Sequence, residues 1–375
     1  MTQKIRLVSG LILFAFLTSH LINLSFGLIS LQALDAARPI MLVFWATIPG
    51  VMLVVLSVMA HLVLGLQALY ARNTLSMSRT DLVQLVLGLI IFPLLFGHML
   101  AVILSPLVTG TRQSYFSLLT LFWVLDPVLG LKQVIVTVIV WIHGCMGLVI
   151  WMRIQSWWAR VAGFVYPLVI LIPLLALLGM VEAGKEVIAL NKDPAMTAEA
   201  LKILPSAPEL YNKLVMIQSI GIWGYFTILA LVLLARYIRV RKDQASLYIS
   251  YADGRRLDVK AGLTLLEISR MNHVPHASLC GGHGRCGSCQ VRIVEGAENL
   301  PPVTRDEAKT LARFRATPDV RLACQIIPVK GVLSIERLLP AYLEPHDLRE
   351  ALKAAQGGCA DAEPDTESAT AGGKI

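Results

Sequence analysis

The sequence predicts an all-α membrane bundle of six helices followed by a small α+β domain. Only 15% of the residues are charged and the mean hydropathy is +0.67, whereas a soluble domain carries roughly a quarter charged residues. Six apolar stretches are long enough to cross a bilayer. From residue 246 the pattern changes to short alternating strands and turns. We therefore expect a membrane bundle at 1–240, a linker at 241–245, a small domain at 246–340 and a polar, disordered tail at 341–375.

Charge at the ends of the apolar stretches predicts the topology. The spans are placed at residues 7–31, 41–70, 82–107, 131–152, 161–181 and 214–235. Basic residues follow the second, fourth and sixth spans, for example Arg72, Arg153 and Arg236. The positive-inside rule then puts both termini in the cytoplasm, in a bacterial-type inner (plasma) membrane, and 182–213 becomes a folded external loop. Because this pattern explains the net charge of +8, a nucleic-acid partner is not expected.

The small domain has strand and helix signals in a recognisable order. Its predicted elements are a β-hairpin at 247–259, a helix with a capping box at Thr264 and Glu267, a strand at 290–294, a helix with a capping box at Thr304 and Glu307, and a strand at 320–323. A loop with three cysteines lies between the first helix and the third strand. Hairpin, helix, loop, strand and helix form the order of a β-grasp fold.

Four cysteines in this domain predict an iron–sulfur centre. They are Cys280, Cys286, Cys289 and Cys324. Three thiolates on one glycine-rich loop and a fourth from a distant strand is the ligand pattern of a [2Fe–2S] ferredoxin, a one-electron carrier. A zinc site is the alternative, but zinc sites usually combine two Cys-x₂₋₄-Cys pairs, and only Cys286 and Cys289 form one. Four thiolate ligands also favour the reducing cytoplasm.

Four histidines lie inside the apolar spans, one in each of the first four. They are His20, His61, His98 and His143. His61 and His143 precede the basic residues of their cytoplasmic ends by eleven and ten residues, a depth of about 15–16 Å. The other two lie about 21–28 Å from that side. Depth therefore predicts an inner pair (His61 and His143) and an outer pair (His20 and His98).

Two imidazoles across a gap between helices are the axial ligands of a low-spin b-type haem. Gly65 and Gly147 lie one turn after the inner histidines, where a porphyrin needs room. We therefore predict two haem b groups. Three alternatives stay open: polar contacts that hold the bundle together, with glycines for helix packing, a zinc site, and a proton relay in a transporter.

Two resemblances extend this interpretation. Residues 246–338 resemble an adrenodoxin-type [2Fe–2S] ferredoxin, since five residues separate Cys280 from Cys286. Residues 1–240 resemble the dihaem cytochrome b anchors of succinate dehydrogenase and fumarate reductase, a family that pairs its ligand helices in the same order, first with third and second with fourth. The combination is similar to the membrane region of quinone-responsive class III adenylate cyclases, a likeness carried by the stretches 18–24 and 279–289. It implies a quinone ligand.

The resemblances suggest a membrane electron-transfer protein that links the quinone pool through two haems to a cytoplasmic [2Fe–2S] cluster. The alternative is a redox sensor or regulatory subunit that uses the same cofactors to control a separate partner, such as an adenylate cyclase. Too few residues follow Pro340 for a catalytic domain, so we do not expect cyclase activity in this chain. No dinucleotide or Walker motif is recognised, and no catalytic residue is assigned. The expected partners are the lipid bilayer, a quinone or quinol, and a cytoplasmic redox or signalling protein.

Overall fold

The chain divides into two compact units in a computed structural model, residues 1–240 (the membrane unit) and residues 241–375 (the C-terminal unit). The structure describes residues 2–75, 77, 79–109, 114–153, 155, 157–201, 208–242, 246–344, 347, 348, 350 and 351. Residues 352–375, which make up most of the tail predicted to be disordered, lie outside the described residues.

The membrane unit is helical. Its helices are α1 (Thr2–Ser25), α2 (Leu31–Met41), α3 (Ile48–Ala71), α4 (Arg79–Thr109), α5 (Tyr115–Thr120), α6 (Pro127–Met152), α7 (Trp158–Leu190), α8 (Pro194–Leu201) and α9 (Pro208–Lys242). A short 3₁₀ turn (Phe26–Leu28) precedes α2, and a π-helical turn (Leu121–Leu125) follows α5. Within the described ranges, six of these helices are long and apolar enough to cross a membrane. The chain is therefore a multi-pass membrane protein, as predicted.

Local capping explains where the spanning helices begin. The side chains of Thr47 and Asp126 accept hydrogen bonds from Gly50 N and Leu129 N, which closes the first turns of α3 and α6. Both helices also carry a proline in the first turn, where the missing N–H costs nothing. Helix α9 extends through Lys242, so the first two residues of the expected linker 241–245 are helical. Its remaining residues, 243–245, lie outside the described part of the chain.

Three short segments differ from the predicted span boundaries. Residues 31–41, which the sequence prediction placed almost entirely in the connection between the first two spans, form the separate helix α2, capped by Ser30. The region 182–213, predicted as an external loop, continues α7 to Leu190 and then forms α8. Helix α5 lies between the third and fourth spans. Helix α2 was missed because Asp35 and Arg38 interrupt the apolar pattern, and α5 because its apolar run is too short to cross a membrane. Helices α2, α5 and α7 pack against each other through Leu34, Leu119 and Val187.

The C-terminal unit is a mixed five-stranded sheet with two helices. Its elements are β1 (Ser246–Tyr251), β2 (Arg256–Lys260), α10 (Leu265–Met271), β3 (Gln290–Glu295), α11 (Arg305–Arg313), β4 (Val320–Leu322) and β5 (Gly331–Arg337). The strand order is β2-β1-β5-β3-β4, with β1 and β5 parallel and the other pairs antiparallel. This small mixed sheet domain after six apolar helices confirms the predicted fold class.

The core of the C-terminal unit lies between the sheet and its helices. Alternate residues of β1, Leu247 and Ile249, are buried beside Leu333 and Ile335 of β5, as the pleat of a half-buried strand requires. The capping box predicted at Thr264 and Glu267 is present. The second predicted capping box is only half correct, because Thr304 caps α11 but Glu307 turns inward. Strand β5 was not predicted.

Candidate functional site

The four predicted cysteine ligands come together at one end of the C-terminal unit. Three of them lie on the segment 279–289 (the cluster loop), the last part of the connection from α10 to β3, and Cys324 lies two residues after the end of β4. Gly281, Gly282, Gly284 and Gly287 have φ angles of 69°, 97°, 67° and 76°. Such positive φ angles strain any residue with a side chain. The glycines therefore let a short loop wrap around a central group.

The cysteine side chains form two pairs. Cys280 shares a hydrogen bond with Cys286, and Cys289 shares one with Cys324. All four are buried and none forms a disulfide. A centre with two irons needs two thiolates on each iron, and the paired arrangement provides them. Among the described residues, no group of three or more His, Cys, Asp or Glu side chains is placed to hold a single metal ion. The pairing of the four thiols fits a two-iron cluster.

The pKa values of three of the thiols shift in opposite directions. The hydrogen bond shared with Cys280, followed by burial, raises the pKa of Cys286 well above its usual value. The hydrogen bond with Cys324, then burial and the charges of the nearby cysteines, does the same for the pKa of Cys289. The pKa of Cys280 is lowered, chiefly by the hydrogen bond that it receives from Cys286. Because the raised pKa values of Cys286 and Cys289 disfavour their thiolates, a cationic centre would stabilise the thiolate forms of these two residues.

Polar groups around the sulfurs complete the site. Ser288 N donates to Cys286 Sγ at 3.5 Å, and Ser288 Oγ lies 3.1 Å from the same sulfur. Gln325 Nε2 donates to Cys324 Sγ at 3.4 Å. Hydrogen bonds to cluster sulfurs stabilise the reduced state of such centres. These residues fit a [2Fe–2S] cluster, which would be held by the four cysteine sulfurs.

Helix α11 and strand β4 fix the cluster loop from the outside. Thr310 Oγ1 donates to Gly284 O at 2.6 Å. The fully buried Glu307 carboxylate forms an ion pair with Arg321 at 2.9 Å and accepts from Leu322 N at 3.0 Å. Glu307 therefore ties α11 to β4, which ends two residues before Cys324, rather than capping its own helix. Sequence reasoning missed this ion pair, because the spacing of Thr304 and Glu307 is that of a capping box and does not indicate a contact with Arg321.

In the membrane unit the structure brings the four predicted histidines together in two pairs. The ring centroids of His20 and His98 are 6.4 Å apart, and those of His61 and His143 are 6.2 Å apart. A metal ion bound at about 2 Å by one nitrogen of each ring separates the two centroids by roughly 6 Å. Each pair therefore has the separation that two axial imidazole ligands require.

Hydrogen bonds orient the rings of the inner pair. His61 Nδ1 lies 3.2 Å from Arg6 O and 3.3 Å from Ser9 Oγ, and His143 Nδ1 lies 3.1 Å from Gln84 O. A carbonyl oxygen can only accept, so Nδ1 carries the proton in both rings. This tautomer leaves the Nε2 lone pair free for a metal, which is the usual arrangement around metal-binding histidines.

Helix packing leaves room between the paired histidines. Helix α1 packs against α3, and α4 packs against α6. Each histidine pair crosses from one of these helix pairs to the other, and the helices that carry its two members are not close neighbours in the described structure. Gly65, one turn after His61, has open space where a side chain would stand, whereas Gly147 faces Gln84 Nε2 at 3.2 Å. Of these two glycines, Gly65 has open space at its Cβ position and Gly147 does not.

The imidazoles of the inner pair pack against two further glycines, whose role the sequence analysis did not predict. A Cβ atom on Gly10 would lie 3.1 Å from His61 Cε1, and one on Gly88 would lie 2.8 Å from His143 Cε1. Gly10 precedes His20 by ten residues, and Gly88 precedes His98 by the same number. The repeated Gly-x₉-His spacing could therefore have indicated that each helix carrying an outer-pair histidine also packs against an imidazole of the inner pair.

The polar residues beside His20 form hydrogen bonds within the helical bundle. Thr18 and Ser19 donate to carbonyl oxygens of their own helix. Asn23 is fully buried, and its Nδ2 donates to Tyr115 Oη at 2.8 Å, which joins α1 to α5. Asn23 therefore makes a polar contact between helices, whereas Thr18 and Ser19 bond within α1.

Comparisons with known proteins identify the C-terminal unit. Residues 250–329 match the family described as the 2Fe-2S iron-sulfur cluster binding domain. A 63-residue stretch is 43% identical to the 2Fe-2S ferredoxin-5 of Aquifex aeolicus and covers 16% of this chain and 66% of that protein. A 106-residue stretch is 30% identical to one component of the Na⁺-translocating NADH-quinone reductase of Histophilus somni and covers 28% of this chain and 25% of that component. The chain thus spans two thirds or less of these relatives.

A solved structure is also similar. The ISC-like [2Fe–2S] ferredoxin of Pseudomonas putida is 25% identical, with a TM-score of 0.23, and the match covers 26% of this chain and 94% of that one. The family match and the cysteine geometry make the C-terminal unit a [2Fe–2S] ferredoxin domain. The protein combines this electron-transfer domain with a multi-pass membrane unit.

Proposed function

We propose that the protein carries electrons between the quinone pool and a cytoplasmic [2Fe–2S] cluster through two b-type haems. His61 and His143 would hold the inner haem, and His20 and His98 the outer one. Cys280, Cys286, Cys289 and Cys324 would hold the cluster. The observation that carries the proposal is the set of two imidazole pairs, 6.2 Å and 6.4 Å between centroids, inside a bundle joined to a ferredoxin domain.

The cofactors supply one-electron chemistry, and the side chains of the protein position them. Arg6 O, Ser9 and Gln84 O hold the inner imidazoles with Nε2 free. Gln84 Nε2 also donates to His143 O at 3.1 Å, so Gln84 contacts both the ring and the backbone of His143. Such outer contacts fix the ring orientation and raise the basicity of a ligand. The apolar surroundings disfavour ionised side chains, which therefore do not compete with the imidazoles as ligands.

The basic ends of the helices support a cytoplasmic placement of both termini. Arg236 Nε donates to Arg72 O at 2.9 Å, and Arg239 Nη2 donates to Tyr70 O at 2.7 Å. The cationic end of α9 therefore caps the carboxyl end of α3, and both ends lie on the same side of the membrane unit. Cations at this position complement the helix dipole, and their excess on one side is what the positive-inside rule associates with the cytoplasm.

Oxidation of the reduced protein by a quinone tests this route. A quinone takes up two electrons and two protons to become a quinol, whereas each haem and the cluster release one electron. The full chain in lipid nanodiscs is reduced with dithionite, freed of excess reductant and mixed with decylubiquinone. The haems are followed by absorbance and the cluster by electron paramagnetic resonance. We expect oxidation of both, with quinol formed.

The variant His61→Ala provides the control for the route. This variant should keep the cluster, but the quinone should oxidise the cluster at least about tenfold more slowly, because the inner haem is missing. If the cluster of this variant is oxidised as rapidly as that of the wild type, the electrons do not pass through the haems. A protein with neither haem nor cluster signal would contradict the whole proposal.

A further inference from the structure

We infer that the exposed face of α11 is the docking surface for an acidic, carboxylate-rich redox protein that exchanges one electron with the cluster. This inference deepens the proposed function and rests on electron transfer through the cluster, but not on the haems. It is carried by three cations, Arg305, Lys309 and Arg313 (the basic stripe).

The basic stripe follows from the helical repeat of α11. Its three residues are spaced four apart, so they lie along one face of the helix over about 12 Å. All three are exposed, whereas Glu307 and Thr310 on the opposite face are buried. Arg315, directly after the helix, is exposed as well. Asp306 is the one acidic residue of α11 on the exposed side, since Glu307 is buried and is paired with Arg321.

The stripe lies beside the cluster loop. Next to Lys309, Thr310 donates to Gly284 O at 2.6 Å, and Arg313 Nη2 itself donates to Arg285 O. Phe314 then packs over Gly287, where a Cβ atom would lie 2.6 Å from its ring. Three consecutive contacts thus place the end of the stripe against the segment between Cys280 and Cys289. A partner held by these cations stands next to the cluster, where electron exchange needs it.

The chemistry of the face favours a protein over a lipid surface. A helix that lies on a membrane presents large apolar or aromatic side chains between its cations. The exposed positions between the cations of α11 are Asp306, Ala308 and Ala312, none of them large and apolar. A carboxylate-rich protein surface needs no apolar insertion, since charge complementarity alone steers and orients such encounters.

The test uses the full chain in neutral nanodiscs and a fluorescent poly-L-glutamate of about twenty residues as the carboxylate probe. Binding is measured by anisotropy at low ionic strength. In parallel, stopped-flow and freeze-quench paramagnetic resonance follow the oxidation of the reduced cluster by ferricyanide, an anionic one-electron acceptor. We expect the probe to bind, and saturating probe to slow the oxidation of the cluster, because it covers the approach to the cluster loop.

The triple variant Arg305→Gln, Lys309→Gln and Arg313→Gln should weaken probe binding roughly tenfold and slow ferricyanide oxidation by a similar factor. A matched control, Arg256→Gln, Lys260→Gln and Lys330→Gln, removes the same charge from exposed residues around β2 and before β5. Strand β2 is the opposite edge of the sheet from β4, to which α11 is tied. The control should retain binding and rate to within about twofold.

Three results would overturn the inference. The first is an equal loss in both variants, which would mean a general charge effect. The second is probe binding that leaves the cluster oxidation unchanged. The third is slowing of the wild type, but not of the triple variant, in nanodiscs of phosphatidylglycerol, which would assign the stripe to lipid headgroups. An absent cluster signal would instead contradict the proposed function, so the two failures are distinguishable.

Discussion

The two units arrange their proposed redox ligands in opposite ways. In the C-terminal unit, three of the four cysteines lie within the single segment 280–289. In the membrane unit, each histidine lies on a different helix, and the set extends from residue 20 to residue 143. A compact loop fixes its geometry by local backbone conformation, through glycines with positive φ. Ligands on separate helices depend on packing: their rings lie against glycines of neighbouring helices and form hydrogen bonds between helices. The first arrangement can be recognised from a motif, and the second only from depth and pairing.

The largest expected effect is complete loss of the cluster from the C-terminal unit without any change in the membrane unit. Cys286→Ser should abolish the paramagnetic resonance signal of the cluster, because serine replaces a sulfur of the Cys280–Cys286 pair. The haem absorption and the membrane insertion should be unchanged. Cys145→Ser, in α6 and outside the cluster site, is the control and should retain the cluster. A full cluster signal in Cys286→Ser would exclude this thiol as an essential ligand.

The histidine variants test whether the membrane ligands act in pairs. His61→Ala and His143→Ala should each remove the same haem, and His20→Ala and His98→Ala the other, since the rings are paired at 6.2 Å and 6.4 Å. Haem is counted by pyridine haemochrome absorbance, and the two groups are distinguished by redox titration. Loss of both haems in every single variant would disprove the pairing. The cluster signal should remain in all four.

The buried ion pair tests whether the cluster depends on α11. Glu307→Ala should lower the free energy of unfolding of the C-terminal unit by about 3–5 kcal/mol, because it leaves the buried Arg321 without its partner. Denaturation is followed by loss of the cluster absorbance. Asp258→Ala, at an exposed position of β2, should change it by less than about 0.5 kcal/mol. Equal stabilities of these two variants would show that Glu307 does not tie α11 to β4.

The smallest effect concerns the space beside the inner pair. Gly65→Leu should lower the occupancy of the inner haem while the outer haem remains, because the leucine side chain enters the open space one turn after His61. Gly163→Leu, in α7, also has open space around it and is the matched control, which should keep both haems. Haem occupancy per protein is the measurement. An unchanged inner haem in Gly65→Leu would place the porphyrin elsewhere.

The same contrast explains what could be predicted from the sequence. The six spans follow from apolar length, and the cysteine loop and the Thr264 cap follow from local spacing. Helix α2 was missed because tertiary packing, not an apolar run, stabilises it, and helix α5 because its apolar run is too short to cross a membrane. The inward turn of Glu307 and the contact of Ser9 with His61 join residues distant in the sequence. Such pairings leave no periodic signal in one sequence.

The central claim is that the membrane unit holds two haems in addition to the cluster of the C-terminal unit. The most direct measurement is the cofactor content of the purified full chain, by pyridine haemochrome absorbance together with spin quantitation of the reduced cluster. We predict two haem b groups and one [2Fe–2S] cluster per chain. A stoichiometric cluster without haem would contradict the claim, and would leave the four histidines as polar contacts within the bundle.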